Sequence, residues 1–367
     1  MFELPSSPAS TAVPDGPEER ESARHVTLKD IALKAGVHFT TVSLALRGHP
    51  SLLPTTRARI LEIAGELGYR RDPVFMALTS RRANAQTPHK VCRMAFLTDE
   101  PSQNSFDRAS HMRYFYDGAR RQAERMGYTC DLMFIRGQDF TPDTLEVRLR
   151  NQGYEGVIIG AFHLPNTRIV LDWERYTLVK IDTQFMEPDF AFVSNDQMHA
   201  VRLAWQQLRQ RGYRRIGMAV GRYDEIATRD LYSAGCLIEQ AGLPPEDRIP
   251  PLHFDYADRV QEADPKLRAW VRQYRPQVVV SNWSEILSMA VATGLRVPEE
   301  LACACLCLSD PDPRVAGVIQ NHHAVGRRAA EMLAIAAKSE QRGIPARPAA
   351  VRIAGRWQDG ASAPGIP

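Results

Sequence analysis

Residues 26–78 constrain this chain more than any other stretch. Thr27 stands where a helix N-cap belongs, and Asp30, three residues on, can answer it in a capping box. Leu28, Ile31, Ala32 and Ala35 then recur at helical spacing. Gly36 supplies the sharp turn after about two helical turns. A second short helix is expected from Phe39 to about Arg47, with Val42 and Leu46 turned inward. Its outer face would carry Phe39, Thr40, Ser43, Leu44 and Arg47. Two short helices joined by Ala-Gly-Val make a helix-turn-helix, whose second helix enters the DNA major groove. A third helix should run from Pro54 to about Leu67, with Ile60, Leu61, Ala64 and Leu67 inward.

The segments Thr27-Leu28-Lys29-Asp30-Ile31-Ala32, Ala35-Gly36-Val37, Thr41-Val42-Ser43, Thr56-Arg57 and Leu67-Gly68-Tyr69 carry a specific likeness. In order and spacing they resemble the headpiece of the lactose-repressor (LacI/GalR) family. The resemblance implies a DNA-binding surface of Thr27, His38, Phe39, Thr40, Thr41, Ser43, Leu44, Arg47 and Thr56. It also implies a hinge helix after Tyr69, in which Leu78 would wedge into the minor groove. Phe75 and Met76 are bulkier than the residues usual in that hinge. His38 replaces the serine usual at the recognition-helix N-cap, and Leu44 stands where Arg or Lys is common. A leucine cannot hydrogen-bond guanine, so the preferred operator should differ from the familiar one.

Charge distribution agrees. Residues 25–82 hold nine Lys/Arg against four acids, in a chain whose formal net charge is +3. A basic module on a near-neutral body fits a polyanionic partner for that module alone. No run of about twenty apolar residues suggests a membrane span. Residues 1–21, rich in Pro, Ser and acids, lack the apolar core of a secretory signal and read as part of a disordered tail. Cys303, Cys305 and Cys307 alternate as on one strand face, packed as small hydrophobes in a reducing, cytoplasmic compartment. No metal site or cofactor is expected.

From Val91 onward, apolar runs of five to eight residues alternate with amphipathic helices, as in parallel sheets covered on both faces. Strands are expected at 91–98, 129–135, 156–160, 178–182, 215–220, 277–281 and 301–308; helices include 114–126, 198–211, 228–241 and 285–293. The fold class is α/β: a helix-turn-helix headpiece and two doubly wound lobes with a cleft between them, similar to the effector core of the same family and to periplasmic sugar-binding proteins. The expected division is a tail at 1–24, the headpiece at 25–72, hinge and linker at 73–89, the core at 90–357 and a flexible tail at 358–367. Lobe 1 would take about 90–193 and 320–345, lobe 2 about 194–319 and 346–357.

Ligands of doubly wound sheets sit beyond the carboxyl ends of strands. Asp99, Asp182 and the pair Asn282-Trp283 follow strands there and suit a polyhydroxylated ligand, though an Asp after a strand also commonly caps the next helix. The resemblance adds Asp196 and Phe254 with Tyr256 as effector-contacting residues. Two of its positions do not match. Tyr232 stands for the expected arginine, with Arg229 one turn away, and Cys307 and Leu308 replace a pair of aspartates, with Asp310 further on. A different sugar, a sugar phosphate or weak ligand dependence all stay open.

No Gly-x-Gly-x-x-Gly, phosphate-loop Gly-Lys, His-Glu-x-x-His or Gly-x-Ser-x-Gly occurs. The expectation is a transcriptional regulator, a repressor and not an enzyme. It would bind pseudo-palindromic double-stranded operator DNA as a homodimer and answer to a small polar effector, a carbohydrate. Residues 359–367 hold no heptad that would make a tetramer. The rivals are a solute-binding protein and an enzyme on a Rossmann-like scaffold.

Overall fold

The computed structural model describes residues 26–46, 52–69, 92–136, 142–162, 169–255 and 265–366. Two compact units divide between Lys90 and Val91.

In the first unit, α1 (Leu28–Ala35) opens on a capping box. The Asp30 carboxylate accepts from the Thr27 amide at 2.7 Å, and Thr27 Oγ1 accepts from the Asp30 amide at 3.4 Å. Gly36 ends the helix at φ 65°, a conformation cheap only for glycine. α2 (Phe39–Leu46) and α3 (Pro54–Glu66) follow. Ile31, Val42 and Ile60 are sealed among Ala32, Ala35, Ala45 and Ala64, small side chains that let the three short helices approach closely. Two expected inward positions differ. Leu61 is 45% exposed, because the narrow buried stripe of α3 runs through Ile60 and Ala64 with Ile63 and Leu67 beside it. On α2, Ala45 takes the buried place and Leu46 is half-buried.

The second unit holds two six-stranded sheets. The first has the order β11-β5-β4-β3-β1-β2, from β1 (Cys92–Thr98), β2 (Tyr128–Phe134), β3 (Tyr154–Ile159), β4 (Thr177–Ile181), β5 (Phe192–Asn195) and β11 (Ala350–Ile353), all parallel. The second has the order β12-β10-β9-β8-β6-β7. It is formed by β6 (Ile216–Gly221), β7 (Leu252–Phe254), β8 (Val278–Ser281), β9 (Ala302–Leu308), β10 (Ala316–Ile319) and the antiparallel edge β12 (Arg356–Gln358). Strands such as Val278-Val279-Val280 are buried on both faces, as parallel strands covered by helices must be.

The chain passes between lobes at Asn195–Gln197, at Gln320–His322 and at Ala354–Gly355. The last passage lies later than the expected division at 345/346, because β11 pairs with β5 and still belongs to lobe 1. The 228–241 segment is two helices, α8 (Arg222–Thr228) and α9 (Leu231–Ala241). Arg229 and Asp230 between them both take positive φ, 55° and 61°, which no continuous helix allows.

Residues 358–366 are fastened, not flexible. Ser362 Oγ donates to Cys303 O (2.6 Å) and accepts from Ala316 N (2.9 Å), Tyr213 Oη donates to Pro364 O (2.7 Å), and Ala363 is buried.

In lobe 1, α5 (Ser110–Arg125) crosses α12 (His322–Lys338) at Gly118 and Gly326. A Cβ on Gly326 would run into the Phe115 carbonyl, and one on Gly118 into the His323 carbonyl. That approach pins the start of α12 beside His111 and Phe115, at the mouth of the cleft.

Candidate functional site

The outer face of α2 is the first candidate. Phe39 is 46% exposed, and Thr41, Ser43 and Leu44 are half-buried, with Leu44 outside the headpiece core. His38 precedes α2: its Nδ1 lies 2.8 Å from Thr40 Oγ1 and accepts from Thr40 N at 3.5 Å, and its ring rests against Phe39 at 4.4 Å. Thr56 is half-buried in the first turn of α3, and the Thr27 hydroxyl donates to Asp30. Arg47, Leu78, Phe75, Met76 and Tyr256 lie outside the described residues.

The second candidate is a cavity of about 160 Å³ between the lobes of the core. Lobe 1 contributes His111, Phe115, Phe162, Asp182 and Thr183; the first passage adds Asn195 and Gln197; lobe 2 adds Tyr223, Asp224, Thr228, Tyr232, Asn282, Trp283 and Cys307; and His322 begins α12. Most sit just past the carboxyl ends of strands, where the amide ends of the following segments and the strand edges leave polar groups to be used.

Trp283 is fixed at both ends. Its Nε1 donates to Asp224 Oδ2 at 2.8 Å, and its ring stacks on Phe254 at 5.1 Å with 19° between planes. Asn282 Oδ1 accepts from Gly221 N at 3.1 Å. Asp182 stands on a turn held at φ 55°, an unusual place for a residue with a side chain. Its Oδ1 accepts from Asn195 N and Gln197 Nε2, each at 3.3 Å. Burial pushes its carboxyl up to about 7, and these two hydrogen bonds pull back by less. His322 is 2% exposed, and burial drives its imidazole down to about 4, so it is neutral; its Nε2 lies 3.8 Å from Cys307 Sγ. Three buried side-chain atoms at this cavity have no protein partner: Asn195 Oδ1, Gln197 Oε1 and His322 Nδ1. Unpartnered buried polar atoms are rare in proteins, and these three belong to residues that line one cavity.

Contacts also cross the cleft directly. Tyr223 Oη donates to Phe162 O at 2.7 Å, Gln184 N to Ala227 O at 3.2 Å, and Tyr114 Oη to Asp310 Oδ2 at 2.6 Å.

Of the expected effector residues, Asp182, Asn282 and Trp283 line the cavity and five do not. Asp196 caps α7 (Gln197–Gln210), accepting from His199 N at 3.0 Å, and opens on a different surface depression. Capping is the common fate of an Asp after a strand. Arg229 is exposed at the end of α8, and Tyr232 occupies the wall instead. Phe254 is fully buried behind Trp283 and supports it. Asp99 is buried near Tyr223 and Asp310 is bound to Tyr114, both away from the cavity lining. Cys303 and Cys305 are core thiols as expected, whereas Cys307, half-buried, faces the cleft. Tyr223 and Asp224 were missed although they follow β6, where the strand-end rule points. His111 and His322 carry no comparable local signal.

In sequence, a helix-turn-helix unit is followed by a two-lobed α/β unit. Residues 27–72 match the family described as bacterial regulatory proteins, lacI family, and residues 205–362 match the periplasmic binding protein-like domain. The chain thus carries a lacI-type DNA-binding domain and a periplasmic binding protein-like domain. It is 30% identical over 200 residues to HTH-type transcriptional regulator reg1 of Streptomyces lividans, covering 53% of each chain. It is 24% identical over 330 residues to the regulator CelR of Thermobifida fusca, covering 85% of this chain and 92% of that one. The chain spans about half the length of the first curated relatives it matches. The solved CelR–cellobiose complex superposes with a TM-score of 0.56 at 19% identity, covering 92% of this chain and 100% of that one, a likeness of fold. The relatives named are transcriptional regulators. No helix among the described residues is long and apolar enough to cross a membrane.

Proposed function

We propose that this chain is a cytoplasmic, sequence-specific transcriptional repressor, not an enzyme, that binds a pseudo-palindromic operator as a homodimer and is controlled by a small carbohydrate-like effector. The observation that carries the reading is the pairing of a lacI-type headpiece with an interlobe cavity whose lining residues include three with partnerless buried polar atoms. Relatives support it: one neighbour was solved as a lac repressor dimer bound to operator, and others with cellobiose, ribose or D-xylulofuranose.

DNA reading falls to Phe39, Thr40 and Leu44, with Thr41, Ser43, Thr27 and Thr56 at the backbone. Phe39 and Leu44 offer apolar contact, suited to a thymine methyl, and Thr40 adds a hydroxyl. Arg47 holds a phosphate, and Leu78 wedges a base step. In the core, Asp182, Asn195, Gln197, Asn282 and Trp283 hold the effector. A cavity of comparable volume accepts one six-membered ring, so about 160 Å³ points to a single-ring ligand. The effector shifts operator affinity only by the difference in its own affinity for the two arrangements of the lobes.

The test is footprinting or mobility shift on half-sites selected from a random library, repeated in the presence of single-ring sugars. Failure to enrich any palindrome, or operator binding by a chain lacking residues 1–82, sinks the reading.

A further inference from the structure

We propose that the effector is a single-ring sugar bearing a protonated amine, and that the amine sits on the acceptors Asp182, Asn195 and Gln197. The inference rests on the effector reading above and names the chemical class of that ligand.

The cleft asks for donors. Gln197 lines the cavity; its Nε2 already donates to Asp182 Oδ1, so the atom left without a partner is Oε1, which can only accept. Gln197 and Asn195 are each 3% exposed, so neither finds bulk water instead. Asn195 Oδ1 is likewise partnerless, while the Asn195 backbone amide meets the same Asp182 oxygen. Three residues that line the cavity are thus joined at Asp182 Oδ1, and two of them keep an amide oxygen without a partner.

The cleft also lacks a positive charge to meet an anion. Among the described residues lining it there is no Lys or Arg, and both acids, Asp182 and Asp224, are present. Lys180, on the strand leading to Asp182, is committed to Asp189 Oδ1 and Met186 O, each at 3.0 Å. Burial keeps His322 neutral. A phosphate placed here would be desolvated beside carboxylates with no counter-charge, which disfavours the sugar phosphate left open by the sequence.

An ammonium reverses each term. It carries three donors and no acceptor, so it can serve Asp182, Asn195 and Gln197 together, where a hydroxyl donates once. It supplies the opposite charge that the Asp182 carboxylate, held up by burial, does not find in the protein. The sugar body then lies along Trp283, whose plane Phe254 and Asp224 fix.

The experiment is titration calorimetry of the full chain near neutral pH, where the probe amines are largely protonated. Glucosamine, galactosamine and mannosamine are each compared with the parent hexose, the N-acetyl derivative and the 6-phosphate. At least one amine should bind about ten- to a hundredfold tighter than its three neutral or anionic counterparts, the margin of a charge-assisted hydrogen bond. Asp182→Asn, isosteric with the native residue, should abolish that margin. Should it fail to fold, Gln197→Leu, which deletes the acceptor outside the strained turn, should shrink the margin. A parent hexose or N-acetyl sugar binding as tightly as the amine overturns the proposal and leaves the effector reading standing. A 6-phosphate binding tightest does the same. No binding by any probe overturns this proposal, whereas loss of the effector reading itself needs the separate result that no sugar changes operator affinity.

Discussion

On α2, the side chains offered to a partner are sequence neighbours standing at or near solvent, each oriented by its own helix. In the interlobe cleft they come from loops of both lobes, are mostly sealed, and depend on residues behind them. The contrast follows the partner. On the proposed function the duplex is rigid, charged and external, so a short helix with exposed Phe39 and adjacent Thr40 and Leu44 would suffice to meet it. A small ligand must be stripped of water on all sides, and only a cavity assembled from several chain segments can do that. Changes on α2 should therefore alter recognition with little change of stability, and changes around the cleft should alter both.

The largest effect is expected where the cleft is supported from behind. Phe254→Ala removes a fully buried ring under Trp283 and should destabilise the core by about 3–5 kcal/mol, read by urea denaturation. A loss below about 1 kcal/mol would mean that the Phe254 ring is not what supports Trp283.

Next comes Asp182→Asn. The Asp182 carboxyl sits near 7 in the folded chain, above its ordinary value, so its contribution is present at low pH and lost as pH rises through about 7. His322 acts with the opposite sign: held down near 4, its contribution is present above its ordinary value of about 6.5 and lost as pH falls toward 4. At pH above 7 the buried charge of Asp182 costs at most about 4 kcal/mol; opening onto the cavity screens part of it, so about 2 kcal/mol of stabilisation is expected for Asp182→Asn. At pH 4 the variant should match the parent. A gain that is equal at both pH values would show that the charge is not its source.

On the headpiece, Leu44→Ala should change half-site preference by about 1–3 kcal/mol at the base affected while moving stability by less than about 0.5 kcal/mol. Selection from a random half-site library with a parallel melting curve decides it. An unchanged preferred site with a lowered melting temperature would turn Leu44 into a packing residue and blur the contrast. The smallest effect is that of Thr27→Ala, which deletes one arm of the capping box and should cost about 1 kcal/mol. Amide exchange in α1 should report it, with the core protection unchanged.

The headpiece was legible in the sequence because its determinants are local. Capping by Thr27 and Asp30, the turn at Gly36 and the start at Pro54 act within a few residues of where they are written. Even there, the three-dimensional choice of which stripe of α3 faces inward fell to Ile60 and Ala64 and left Leu61 outside.

In the core, periodicity found seven of the strands, since a strand buried on both faces must be apolar throughout, but not the short β5, β7, β10, β11 and β12. It could not say which strand-end groups would meet. Asp182 and Asp196 look alike in sequence, each an acid just past a strand. A turn at φ 55° sends the first into the cavity, while the second caps α7. His322 and Gln197 entered the cleft through passages between lobes, and the 358–366 segment, polar and rich in Gly, Ala and Pro, was tied down by Ser362 and Tyr213. The sequence by itself determined a helix-turn-helix and an α/β core. Tertiary structure alone decided what lines the cleft, because burial and hydrogen-bond partners there are set by segments hundreds of residues apart.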